Sequence, residues 1–157
     1  MPLDQPIGFF IFDYAWVLLI LITVLNAFIL KTRSKKFMKD NPELEEGYDR
    51  LFKGYLIYMN IPWVIMGVGM LLGGVPSTFS YLTPARISNP FIIVFHATIV
   101  ILWILSIWWL YFKDGAEFLV KYKGVFNRDF QSPMVIKVFF GIALIFGVAG
   151  MIFMWSW

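Results

Sequence analysis

Three runs in this chain, Gly54 to Gly74, Phe91 to Phe112 and Val138 to Trp157, contain no Asp, Glu, Lys or Arg, and a fourth, Phe9 to Leu30, is interrupted only by Asp13. A helix crosses the hydrocarbon of a bilayer in about 20 residues, and each run has that length. In lipid every backbone N–H and C=O must be satisfied within the chain, which leaves helices as the spanning form for runs this long. Of the 157 residues 60% are hydrophobic and 15% charged, too few polar groups to wrap four such runs in water. The expected fold class is therefore an all-α integral membrane protein. It forms a single transmembrane domain over residues 1–157, with spans at about 9–30, 54–74, 91–112 and 138–157. Short connections favour an antiparallel four-helix bundle.

Orientation follows from the basic residues. Segment 31–53 holds Lys31, Arg33, Lys35, Lys36, Lys39, Arg50 and Lys53; segment 113–137 holds Lys113, Lys121, Lys123, Arg128 and Lys137. Only Arg86, in the loop 75–89, falls outside these two segments among the 13 Lys and Arg. The positive-inside rule places the basic segments in the cytoplasm and both termini, with loop 75–89, outside. Aromatic residues divide the same way, Phe10, Phe12, Tyr14, Trp16, Phe79, Tyr81, Trp155 and Trp157 toward one interface and Trp108, Trp109, Tyr111 and Phe112 toward the other. The opening "MPLDQPIGFF" lacks a basic n-region and no small-x-small cleavage site follows, so the first span is expected to be retained. The expected location is a bacterial-type plasma (inner) membrane, with multiple passes.

Local signals mark the helix ends. Asn41 suits an N-cap with Pro42 at the first helical position, and Glu43, Glu45 and Glu46 suit the positive end of the dipole. Leu44, Tyr48, Leu51, Phe52 and Tyr55 share one face, and Glu46–Arg50 and Asp49–Lys53 are i, i+4 pairs. This predicts an amphipathic helix that runs continuously from Pro42 to Gly74, about 50 Å. Asn89-Pro90 and Ser132-Pro133 open the third and fourth spans, and "KDGAEFLVKYKG" predicts a short helix ending near Gly124.

Polar residues inside the spans are the candidates for function. His96, the only histidine, lies about 9 Å along its helix from Pro90, and Asp13 about 5 Å into the first span. The two lie within side-chain reach if the first and third spans adjoin, which predicts a charged pair; the alternative is a neutral imidazole bonded to a hydroxyl or carbonyl of a neighbouring helix. Asn26 and Asn60 share a depth in the other leaflet, where an amide–amide bond would contribute about 1 kcal/mol. Pro62 removes an N–H and frees the carbonyl of Tyr58, predicting a kink beside Asn60. Gly69 and Gly73, then Ala143, Gly147 and Gly150, permit close helix approach, either within one bundle or at an oligomer interface.

With no cysteine, thiolate metal sites, disulfides and cysteine nucleophiles are excluded. One histidine rules out bis-histidine haem ligation within one chain, and no Gly-rich phosphate loop or H-E-x-x-H motif occurs. The expectation is a non-enzymatic accessory, scaffold or oligomerising subunit, with no metal, no cofactor and no nucleic-acid partner. Its partners would be the lipid bilayer and further copies or a larger membrane complex. The alternatives are a proton, ion or solute path past Asp13, His96, Asn60 and Asn26, and a quinone- or haem-associated redox subunit.

Overall fold

The computed structural model describes residues 13–86, 89–125 and 130–156. Among them every regular element is helical, and four helical segments are long and apolar enough to cross a membrane. The α-helices are α1 (Ala15–Asp40), α2 (Glu45–Tyr58), α3 (Ile61–Leu71), α4 (Phe79–Leu82), α5 (Pro90–Phe112), α6 (Gly115–Lys121) and α7 (Pro133–Ser156). Tight 3₁₀ turns at Pro42–Leu44 and Pro84–Arg86 precede α2 and follow α4. Phe9, Phe10, Phe12 and Trp157 lie outside the described residues.

Helix α1 continues past Leu30 and carries the basic cluster to Asp40 as helix. Lys and Arg are good helix formers. The hydroxyls of Thr23, Thr32 and Ser34 donate to carbonyls of α1 itself and so need no outside partner. Pro42 then stops it, because the residue before a proline is pushed out of helical geometry. Asn41 does not cap the next helix as expected. Its side chain makes no cap bond and its amide instead reaches back to the Phe37 carbonyl at 3.5 Å.

The continuous second helix expected from Pro42 to Gly74 is interrupted between Tyr58 and Ile61. Pro62 has no N–H for the Tyr58 carbonyl, and the chain tightens there, with Asn60 N–H donating to the Ile57 carbonyl at 3.2 Å. Helix α3 ends at Leu71. Gly74 takes φ +67°, and Val75 N–H closes back onto the Gly69 carbonyl at 3.0 Å, a C-cap that favours glycine. The pairs Glu46–Arg50 (3.1 Å) and Asp49–Lys53 (2.6 Å) form on an exposed face. Leu44 and Tyr48 are buried against Tyr122.

Asn89 caps α5 as expected, accepting from Phe91 N–H at 2.9 Å. Past Phe112 the chain turns through Asp114, at φ +53°, into α6. Helix α7 begins at Pro133, as the Ser132-Pro133 signal predicts, and Lys137 near its start reaches Glu117 of α6 at 3.0 Å.

Packing follows chain order. Helix α1 lies against α2 and α3, α3 against α5, and α5 against α6 and α7, while α7 also touches the Pro84–Arg86 turn. Three buried clusters result. One joins α3, the loop and α5 through Met66, Val75, Tyr81, Ile92 and Phe95; a second holds Leu44, Tyr48 and Tyr122; a third holds Leu110, Ala116 and Ile136.

Candidate functional site

The end of the molecule where α3 finishes and α5 begins concentrates the buried polar groups. Tyr81 is 0% exposed, and its hydroxyl donates to the Met66 carbonyl at 3.1 Å. Burial pushes its phenol up to about 12. The Asn89 side chain serves two helices at once, accepting from Phe91 N–H and donating to the Gly73 carbonyl at 2.9 Å. Without it, one open carbonyl just past α3 and one open N–H of α5 would lose their partner.

Gly69 and Gly73 belong to this same joint. A Cβ on Gly69 would strike the Tyr81 hydroxyl and lie 2.8 Å from the Phe91 Cβ, and one on Gly73 would strike the Phe91 ring. The close approach permitted by their spacing is thus taken up inside the chain. The other small residues differ. Gly147 lies under Trp103 of α5, where an added Cβ would sit 2.9 Å from the indole; Ala143 is exposed, and Gly150 has no atom within 4 Å of a Cβ.

His96 is 4% exposed and sits nearly two turns into α5. Its Nδ1 lies 2.9 Å from the Ile92 carbonyl. A carbonyl only accepts, so Nδ1 carries the proton. The other nitrogen, Nε2, is buried and has no hydrogen-bond partner among the described residues. The ring stands edge-to-face with Phe95 at 5.2 Å and with Trp155 of α7 at 5.5 Å between centroids.

The expected pair of His96 with Asp13 is absent. The reason lies in the neighbour order: α1 packs mainly on α2 and α3, with Trp16 pressed against Gly67, and α5 packs mainly on α3. Similar depth in a membrane does not make two helices adjacent. The alternative is closer to what is seen, except that the carbonyl belongs to His96's own helix.

Asn26 and Asn60 do not meet either. Asn26 is exposed, and the Asn60 amide donates to the Leu56 carbonyl at 2.7 Å, with its Oδ1 buried and unpartnered among the described residues. Leu56 would otherwise bond the Asn60 N–H, which has moved to Ile57, so the side chain repairs the ladder broken beside Pro62. No hydrogen bond or ion pair joins any two of Asp13, Asn26, Asn60 and His96.

Sequence reasoning missed Tyr81, Asn89's second bond and the contact of Trp155 with His96. Tyr81 and Trp155 read only as interfacial aromatics, and Asn89 only as a cap. The chain matches no family model, and no curated protein or solved structure matches it.

Proposed function

We propose that this protein is a non-enzymatic four-helix subunit of a bacterial-type plasma membrane that works by helix contact, as an accessory or scaffold component that self-associates. In this reading the helices form an antiparallel bundle with both termini outside. The basic segments 31–53 and 113–137 are cytoplasmic, and the amphipathic helix of the second hairpin arm projects there. The twelve-to-one division of basic residues supports the orientation.

The observation that carries the reading is the surface of α7. Phe139, Phe146 and Phe153 recur every seven residues and are 66%, 73% and 61% exposed. Seven-residue spacing keeps large side chains on a seam that a second helix can meet with knobs-into-holes packing. Val138, Ile145 and Ile152 repeat at the same interval beside them and are also exposed.

The test is the protein mass, measured by light scattering in mild detergent, of wild type and of the variant carrying Phe139→Ala, Phe146→Ala and Phe153→Ala. The expected result is an oligomer or a co-purifying partner for wild type and a helical monomer for the variant. A bare wild-type monomer would overturn the reading. A permeation path draws no support from the geometry, since its four polar residues are not brought together.

A further inference from the structure

The joint between α5 and α7 contains a buried group that the proposed assembly does not use. His96 spends its Nδ1 proton on the Ile92 carbonyl and its Nε2 has no partner among the described residues; in the Nδ1–H tautomer Nε2 is an acceptor with a lone pair and no donor. A buried acceptor left unsatisfied is costly, and a phenylalanine at this position would avoid that cost. Nε2 is on the far edge of the ring from the backbone, and on α7 the imidazole stands edge-to-face with the indole of Trp155, 5.5 Å between centroids.

The surroundings of that indole are loose. Trp155 is in the last turn of α7 and 43% exposed. Further down α7 the two helices meet again where Trp103 lies over Gly147. His96 and Trp103 are seven residues apart on one face of α5, about 10 Å along the axis. The seam therefore carries aromatic contacts at two levels, His96 on Trp155 and Trp103 over Gly147.

We propose that this seam binds the head of a lipid-soluble aromatic alcohol, a quinol or an alkylated phenol. The ring takes the place of the Trp155 indole, and its hydroxyl donates to His96 Nε2. The chemistry of the site selects the reduced form. A quinol offers an O–H donor, whereas the corresponding quinone offers only carbonyl acceptors that would face the Nε2 lone pair. The depth of His96, about 9 Å along the helix from Pro90, lies within reach of a head group whose tail runs on into the bilayer. The site stands on different residues from the α7 phenylalanine seam and does not depend on self-association.

The experiment uses the full chain in lipid nanodiscs, under anaerobic conditions, with three probes: a decyl-substituted benzoquinol, the matching benzoquinone and the quinol dimethyl ether. Retained ligand gives the affinity. Because His96 is the only histidine, a ¹⁵N-histidine label reports Nε2 directly. The expected result is saturable quinol binding that shifts the Nε2 resonance, with the quinone and the ether about tenfold weaker, the loss of one hydrogen bond. The substitution His96→Phe should weaken quinol about tenfold to the level of the ether. Trp155→Ala, which leaves the α5 side intact, should tighten quinol and admit a wider naphthoquinol. Equal binding of all three probes, no binding of any, or an Nε2 resonance already hydrogen-bonded and unmoved by quinol would overturn the proposal. The last of these would identify an ordered water as the partner. Unchanged affinity in Trp155→Ala would also overturn it, whether or not His96→Phe folds.

Discussion

The α3–α5 and α5–α7 joints share a helix yet are built on opposite plans. At the first, glycines admit Phe91 and Tyr81 so closely that no larger residue fits, and Asn89 ties the two helix ends with paired hydrogen bonds. At the second, Gly150 faces open space, Ala143 is exposed and a buried imidazole nitrogen lacks a donor. The same residue types serve both. Glycine therefore signals close packing only where a partner with a bulky, well-anchored side chain stands opposite. One joint holds the fold together, and the other retains surface and polar capacity for something further.

The sharpest way to break this contrast is a matched pair of substitutions. Gly69→Leu should cost about 3 kcal/mol or more, because the Tyr81 hydroxyl and Phe91 cannot both move aside; Gly150→Leu should stay within about 0.5 kcal/mol. Thermal unfolding followed by circular dichroism checks both, and equal losses would erase the distinction. Next, Asn89→Ala should destabilise by about 2 kcal/mol, combining a lost cap with a stranded carbonyl at Gly73. A change near zero would mean that the joint is held by its apolar contacts alone.

Tyr81 gives the tight joint a pH signature. Its folded pKa of about 12 stands above its ordinary 10.0, so the neutral phenol is the form the fold prefers. The stability it contributes is complete below pH 10 and is lost as pH rises through 10 toward 12. Unfolding of Tyr81→Phe should lose that alkaline slope, and should cost about 1 kcal/mol at neutral pH for the missing bond to Met66. At the α6–α7 contact the pH response is opposite in sign. A bond from its own backbone N–H, then the Lys137 ammonium, hold the exposed Glu117 carboxyl below its usual range. Their contribution is present above the ordinary carboxylate pKa and fades as pH falls through the lowered one. Glu117→Gln should flatten the acid end of the stability profile and leave the alkaline end untouched.

The spans were legible because hydrophobicity over about 20 residues is a property of sequence alone. So was the Asn89-Pro90 cap, a signal local to three residues. Asn41-Pro42 carries the same two residues and behaves differently, since the tight turn at Pro42–Leu44 takes the place of a first helical turn. The Asp13–His96 pair failed for a different reason. Depth is one coordinate and can be counted along a helix, but which helices adjoin is decided by packing, here by Trp16 against Gly67 and by Phe91 against Gly69 and Gly73. The orphaned Nε2 was out of reach as well, because the sequence marks a buried histidine without saying which of its nitrogens finds a partner.

The chain-ordered packing has a consequence for how the protein is made. Each later helix packs on one no more than two helices before it in the chain, which keeps loop closure short, and by the logic of contact order favours rapid assembly. During synthesis α1 can receive α2 and α3 as they emerge, and α5 can then dock on a surface that already exists. Helix α7 comes last and settles on α5, α6 and the Pro84–Arg86 turn, with most of its length still uncovered. A ribosome-bound intermediate lacking α7 would thus already hold the Tyr81 cluster and the Asn89 tie, complete before the final helix leaves the exit tunnel.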